Sequence, residues 1–137
     1  MTARERVVID TNALVSRLLI PKSVPGQAVR KAIDSADVLV SEATMNELAE
    51  VLSRRKFDQF ISMDDRQQFI RLLARIVELV PMVYQVRVCR DPKKDDRVLE
   101  VAVNGTAGLI ITGDRDLLVL NPFQGIAIIS PAEYLRR

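Results

Sequence analysis

Short apolar segments recur along this 137-residue chain, and stretches with helical spacing of apolar residues lie between them. The segments cover about residues 6–11, 37–41, 108–112 and 126–130, and their cores read VVI, VLV, LII and AII. Runs that are apolar throughout are typical of parallel strands covered by helices on both faces, since a half-exposed strand alternates apolar and polar residues. The pattern therefore predicts a three-layer α/β/α sandwich around a mostly parallel sheet of about five strands.

The remaining strand, third along the chain, is predicted in VYQVRV at 83–88. Helical spacing predicts helices at about 13–20, 27–36, 42–53, 96–104 and 131–137, with Gly105 as the C-cap of the fourth. A further helix is predicted to start at a cap on Asp64 and to end at Pro81, after a short helical turn around 57–61. The sequence shows no internal repeat or linker, so we expect one domain over residues 1–137.

Histidine is absent, and Cys89 is the one cysteine of the sequence. These counts exclude histidine-based acid–base chemistry, Ser–His triads and metal sites built from several His or Cys ligands. Aromatic residues make up 4% of the chain, which argues against a surface on which bases stack. The formal net charge of +2 permits a nucleic-acid partner without requiring one.

Carboxylates stand where predicted strands end or the next helices begin. They are Asp10, Glu47, Asp95, Asp96, Asp114 and Asp116. Ligands of open parallel sheets bind at the carboxyl ends of the strands, so these side chains are expected to share one edge. Clustered carboxylates repel one another unless a cation neutralises them, and Mg²⁺ or Mn²⁺ suits an all-oxygen ligand set. Such an ion activates water and stabilises the charge of a reacting phosphodiester, so the cluster predicts phosphodiester hydrolysis.

Each acid also has a local interpretation. Asp10 suits a turn or a helix cap as well as a metal ligand, and Asp95 and Asp96 suit the N-cap and first turn of a helix. Glu47 fits the end of a capping box that starts at Thr44, although Ser41 or Glu42 lies nearer the expected helix start. The metal-site interpretation therefore depends on the acids occurring together.

Three segments resemble the PIN domain, in the same order and across nearly the whole chain. They are VVIDTNALVSRLL, VSEATMNELAEVLSRRKF and RDPKKDDRVLEVAVNGTAGLIITGDRDLL, and the closing GIAIISPAEYL resembles the last strand and helix of that family. Within the family, the chain is most similar to the toxin components of toxin–antitoxin systems, the VapC-type ribonucleases. DTN and TGDRDL are each moderately specific, and together with the intervening acids they are a strong signature.

The resemblance implies a catalytic quartet of Asp10, Glu47, Asp95 and Asp114. Asp10, Asp95 and Asp114 would hold Mg²⁺ (or Mn²⁺), while Glu47 would bind a second ion or orient the attacking water. Thr11 and Asn12 would shape the first loop by hydrogen bonding, and Asp116 would be a secondary acid. The register to RVLEVAV favours Asp95 as the third ligand, with Asp96, one residue further on, as the alternative.

Two basic clusters lie near these acids in the sequence. Lys93 and Lys94 either contact RNA phosphate or are simply solvated. The trio Arg54, Arg55 and Lys56 either steers phosphate or compensates the dipole at the end of a helix.

The leading hypothesis is a Mg²⁺-dependent endoribonuclease that cleaves single-stranded RNA as the toxin of a toxin–antitoxin system. Its expected partners are RNA, a cognate antitoxin and further copies of itself, in a homodimer or higher homo-oligomer. The alternatives are a stand-alone metal-dependent RNA-processing or DNA nuclease and a non-catalytic PIN-like binding module. MTARERVV lacks the apolar stretch of a signal peptide, and no run approaches the ~20 apolar residues of a membrane span, so we expect a cytoplasmic protein without membrane association.

Overall fold

A computed structural model describes residues 4–87 and 95–137 of the chain, with Asp95 described by its backbone. Five strands form one parallel sheet in the order β3-β2-β1-β4-β5. The strands are β1 (Arg6–Ile9), β2 (Asp37–Val40), β3 (Glu78–Leu79), β4 (Leu109–Ile111) and β5 (Ala127–Ile129). The predicted α/β/α sandwich with a five-stranded parallel sheet is confirmed.

Helices connect the strands and cover both faces of the sheet. They are α1 (Thr11–Leu19), α2 (Val24–Ser35), α3 (Glu42–Leu52), α4 (Met63–Ile76), α5 (Asp95–Asn104), α6 (Arg115–Leu118) and α7 (Pro131–Leu135). Six of them begin at a Ser or Asp whose side chain accepts a backbone N–H of the first turn, which satisfies a donor that the helix leaves without a partner. These caps are Asp10, Ser23, Ser41, Ser62, Asp114 and Ser130. None of the helices in the described ranges is long and apolar enough to cross a membrane.

The core consists of two apolar layers separated by the sheet. Successive strand residues point to opposite faces, so Val7 and Ile9 pack into one layer while Val8 packs into the other. The first layer is closed by α1 to α4 and α7, and the second mainly by α5. Burial of β1 on both faces explains why its sequence is apolar throughout.

The predicted third strand at 83–88 is wrong over its described part: residues 83–87 form no strand, and β3 occurs earlier, directly after α4 ends at Ile76. The backbone N–H groups of Val83 and Tyr84 donate to Oδ1 of Asn104 at 2.8 and 2.9 Å, and Nδ2 of Asn104 donates to the Tyr84 carbonyl at 2.9 Å. One side chain of α5 thus takes the place of a neighbouring strand as the hydrogen-bond partner of these exposed backbone groups. Residues 88–94, which include Cys89, lie outside the described residues.

Several predicted helix boundaries also move. α1 begins at Thr11 instead of residue 13, and α2 begins at Val24 because Ser23 caps it and Pro25 is compatible with a first turn. The predicted cap of α4 at Asp64 is wrong, since Ser62 is the cap and Asp64 lies in the first turn. Before α4, the predicted helical turn at 57–61 is a 3₁₀ turn at Arg55–Phe57.

Gly105 directly follows α5, as predicted, and is needed there for close packing. A Cβ at this position would lie 2.7 Å from Cδ1 of Leu39 and 3.0 Å from the carbonyl oxygen of Val101. The positive φ, 50°, that reverses the chain belongs to Thr106. Gly105 therefore brings the end of α5 close to β2, and the next residue makes the turn.

Candidate active site

The buried hydroxyl of Thr112 connects the two acids that follow the central strands β1 and β4. Ile9 pairs with Ile111 in the parallel register, so Asp10 and Thr112 leave the sheet side by side. Oγ1 of Thr112 donates to Oδ2 of Asp10 at 2.5 Å and accepts the backbone N–H of Asp114 at 3.0 Å. Thr112 is fully buried, so water does not compete for its hydroxyl. This linkage fixes Asp10 relative to the loop that carries Asp114.

Asp10 is at the same time the N-cap of α1. Its Oδ1 accepts the backbone N–H of Ala13 at 2.9 Å, and its side chain is buried apart from a small exposed fraction. The helix-cap and ligand interpretations of Asp10 are therefore compatible, because a carboxylate held by two donors still has lone pairs that face the cavity. Asp114 has a similar role, since its Oδ1 accepts the N–H of Asp116 at 2.9 Å and caps α6.

Glu47 lies on α3, one turn after its start, and the capping box of this helix joins Ser41 to Thr44. Glu47 is thus not needed as a cap. Its Oε2 accepts a hydrogen bond from Oγ1 of Thr11 at 3.4 Å and lies 3.9 Å from a guanidinium nitrogen of Arg97 on α5. The predicted supporting residue Thr11 thus contacts the predicted catalytic acid.

A small cavity brings most of the predicted residues together. Its lining comprises Asp10, Thr11, Asn12, Glu47, Val98, Asp114 and Leu117. A second, more open cavity of about 310 Å³ adjoins it and is bordered by Asp10, Asn12, Ala13, Ser16, Pro25, Gly113, Asp114 and Pro131. Asp10, Asn12 and Asp114 border both, so they face the solvent entrance of the site.

The acids at the start of α5 are described unequally. Asp96 is buried, and Val98, two residues further along α5, lines the small cavity. The side chain of Asp95 lies outside the described part of the structure, as do Lys93 and Lys94. Asp116 is exposed and does not border either cavity.

The donor set of the cavity suits a hard cation, because Asp10, Glu47, Asp114 and Asn12 offer carboxylate and amide oxygens. Within the ranges that the structure describes, no three acidic side chains converge closely enough to hold an ion as they stand. Glu47 points toward Thr11 and Arg97, and the acids that begin α5 are described in part. Mg²⁺ or Mn²⁺ therefore fits this site by ligand chemistry.

The predicted basic trio is away from both cavities. Arg54 pairs with Glu50 at 3.1 Å, and Nζ of Lys56 lies 5.1 Å from the centre of the Phe57 ring. Neither these residues nor Arg55 lines the candidate site.

Sequence reasoning missed Thr112 and Arg97. Thr112 had a detectable signal, because it is the polar residue that ends an apolar strand beside the strand of Asp10. Arg97 follows the acidic pair directly, but nothing in the sequence places it against Glu47, which is fifty residues earlier.

The sequence matches the family profile described as PIN domain over residues 6–116. A relative from Methanocaldococcus jannaschii, the uncharacterized protein MJ1680, is 27% identical over 117 residues, which cover 84% of this chain and 74% of that protein.

Two solved structures share the fold. VapBC2 from Rickettsia felis, bound to a DNA fragment from its promoter, aligns with a TM-score of 0.61 at 10% identity and covers 91% of this chain and 98% of its own. VapC20 from Mycobacterium tuberculosis, a toxin that cleaves the sarcin–ricin loop, aligns with a TM-score of 0.56 at 10% identity and covers 88% and 98%. At these identities the likeness establishes the architecture.

Proposed function

Because this chain belongs to the PIN domain family, whose profile covers residues 6–116, we propose that it is a metal-dependent endoribonuclease that cleaves single-stranded RNA. One observation carries the proposal: Thr112 joins Asp10 to the Asp114 loop at the edge of a cavity that Glu47 also borders. If each acid served only as a turn residue or a helix cap, the acids would not need to border the same cavity. The acids also lie at the carboxyl ends of parallel strands, which is where such sheets bind their ligands.

In this proposal Asp10, Asp114 and an acid at the start of α5 hold Mg²⁺ or Mn²⁺. The ion supplies a more acidic water and offsets charge on the scissile phosphate. The chain itself orients the site, because the Thr112 and Ala13 donors fix the plane of the Asp10 carboxylate. Thr11 and Arg97 hold Glu47 at the opposite wall, from which a carboxylate can accept a proton from the attacking water.

The test is cleavage of a labelled single-stranded RNA by the purified chain with Mg²⁺ or Mn²⁺. We expect cleavage to be abolished by EDTA and by Asp10→Asn, which keeps an oxygen for the helix cap but removes the charge. Asp64→Asn is the matched control, since it removes an exposed carboxylate from the first turn of α4. Cleavage that survives both EDTA and Asp10→Asn would refute the proposal.

The third ligand is assigned to Asp95 by the sequence register, and the burial of Asp96 makes it the competing candidate. Asp95→Asn should impair cleavage more than Asp96→Asn when both variants bind the same RNA. The reverse order, at matched thermal stability, would assign the role to Asp96.

We further propose that the chain acts as a toxin with an antitoxin partner and as a homo-oligomer. The support for the toxin and its antitoxin partner is the likeness to VapBC2 and VapC20, of which the second is described as a toxin. Induced expression should arrest growth of the host, and co-expression of a small neighbouring reading frame should relieve the arrest. If the wild type cleaves RNA in vitro but does not arrest growth even at high expression, a stand-alone nuclease is favoured.

A further inference from the structure

A basic cleft lies beside the candidate active site, on the surface formed by α1, α2 and α7. It has a volume of about 580 Å³, and its lining comprises Arg17, Pro21, Lys22, Gln27, Arg30, Lys31, Asp34, Ser35 and Leu135. Four of these side chains are cationic and one is a carboxylate. We propose that this cleft binds the sugar–phosphate backbone of the RNA substrate as the strand leaves the active site, an inference that rests on the proposed ribonuclease function.

The cleft and the open cavity of the active site share no lining residue, but both are bordered by α1, α2 and α7. On α1, Ser16 borders the cavity and Arg17 the cleft; on α7, Pro131 borders the cavity and Leu135 the cleft. Arg17 lies at the junction, where its guanidinium donates to the carbonyls of Pro21 and Gly26 at 3.4 Å each. Gly26 directly follows Pro25, which borders the cavity, so Arg17 connects the cleft to the chain segment beside the cavity. In the proposal, a strand whose scissile phosphate lies at Asp10 and Asp114 enters the cleft past Arg17.

The cations of the cleft keep most of their charge available to an anion. Among the described residues, Arg30 pairs with Asp34 at 3.3 Å at an exposed position, whereas Arg17 and Lys22 form no ion pair. Arg17 is held by neutral groups, namely the carbonyls of Pro21 and Gly26. Nζ of Lys31 donates to the Tyr134 carbonyl at 2.8 Å and lies 3.3 Å from an oxygen of Arg137. A cation that is held by carbonyl groups has no salt bridge to lose when it binds a phosphate.

The remaining lining indicates which anion fits. Pro21 and Leu135 are its apolar residues, so the cleft lacks the deep apolar anchors by which peptides dock. No aromatic ring lines it, because Tyr134, over which Nζ of Lys31 lies at 4.6 Å, is buried. The cleft therefore suits phosphate contacts that are independent of base sequence.

The experiment measures equilibrium binding of a fluorescent single-stranded 12-nucleotide RNA in EDTA, where cleavage is stopped. The test variant is Lys22→Gln/Arg30→Gln, which removes two exposed charges from the cleft. The matched control is Arg71→Gln/Arg75→Gln, which removes two exposed charges from α4, away from both cavities. Each phosphate contact to a single strand contributes about 0.7 to the slope of log affinity against log salt, so losing two lowers the slope by about 1.4. Affinity at 0.1 M salt should fall about 25-fold for the cleft variant, with little change for the control.

Equal weakening by the two variants, or a salt slope that the cleft variant leaves unchanged, would overturn the proposal. The wild type could bind RNA tightly and the cleft variant lose that binding, although the wild type cleaves no RNA with any metal. That result would support RNA binding by the cleft and reject the proposed ribonuclease activity. In an active enzyme, the cleft variant should raise KM for the 12-nucleotide RNA and retain kcat.

Discussion

Replacing Thr112 with valine tests whether the linkage between β1 and β4 organises the candidate site. Valine has nearly the shape of threonine, so the substitution removes a fully buried hydroxyl with little change in volume. Two partners then lose their hydrogen bond, namely Oδ2 of Asp10 and the backbone N–H of Asp114. We expect Thr112→Val to destabilise the fold and to reduce RNA cleavage together.

The magnitude follows from the two lost contacts. A hydrogen bond to a charged group contributes about 1.5–3 kcal/mol, and a neutral one about 1 kcal/mol. Asp10 is 9% exposed, so water replaces little of the loss at its carboxylate. The free energy of unfolding should fall by about 3 kcal/mol. Thr112→Ser keeps the hydroxyl and loses a methyl group, which costs about 1 kcal/mol.

The assay is urea denaturation followed by circular dichroism, with cleavage rates measured on the same preparations. A double-mutant cycle with Asp10→Ala isolates the pair from the separate loss of the α1 cap. The coupling free energy should be about 2 kcal/mol, as expected for a charged hydrogen bond. If Thr112→Val is no less stable than Thr112→Ser, or if the coupling is below about 0.5 kcal/mol, the inferred linkage is wrong.

Three further perturbations give expectations of known sign. The Arg6 guanidinium donates two hydrogen bonds to Glu78 and holds the pKa of that carboxyl below its ordinary value of 4.5. The pair therefore stabilises the fold above pH 4.5, and this stabilisation is lost as the pH falls through the folded-state pKa. Glu78→Gln should cost about 0.5 kcal/mol at neutral pH, in keeping with an exposed pair, and the difference between the two denaturation curves should shrink as the pH is lowered below 4.5. Arg97→Ala removes the cation that holds Glu47, so Mn²⁺ binding measured by calorimetry should tighten because repulsion of the ion falls, while the rate of RNA cleavage should fall; weaker Mn²⁺ binding or an unchanged rate would contradict this expectation. Gly105→Ala should lower the free energy of unfolding by about 1–3 kcal/mol because its Cβ would overlap a leucine of β2, and a melting temperature equal to that of the wild type would contradict the packing described.

The layered fold could be predicted because it depends on a pattern that local sequence contains. Runs such as VVI and LII are buried on both faces, and parallel strands buried in this way leave no alternation in the sequence. The third strand could not be predicted because it lacks this pattern. β3 is a two-residue edge strand with both residues exposed, so neither its length nor its pattern distinguishes it from the end of α4. Asn104 then satisfies the backbone of the segment that did look like a strand.

The candidate site was predictable where strand ends alone determine position. Asp10 and Asp114 follow adjacent strands, and Glu47 lies in the second turn of a helix that starts at the same edge, so topology brings them to one cavity. Contacts between distant segments were not predictable in this way. Arg97 reaches Glu47 from another helix, and the basic cleft joins residues of α1, α2 and α7 that form no cluster in the sequence.

The pairing of β1 with β4 determines when the candidate site can form during synthesis of the chain. β1 lies at the centre of the sheet beside β4, and β4 is made about a hundred residues after it. The Thr112 hydroxyl that orients Asp10 therefore becomes available only after β4 has left the ribosome, and pairing over such a separation is slow to form. A chain that ends before β4 carries Asp10 without this partner, so the candidate site is organised only once β1 and β4 have paired.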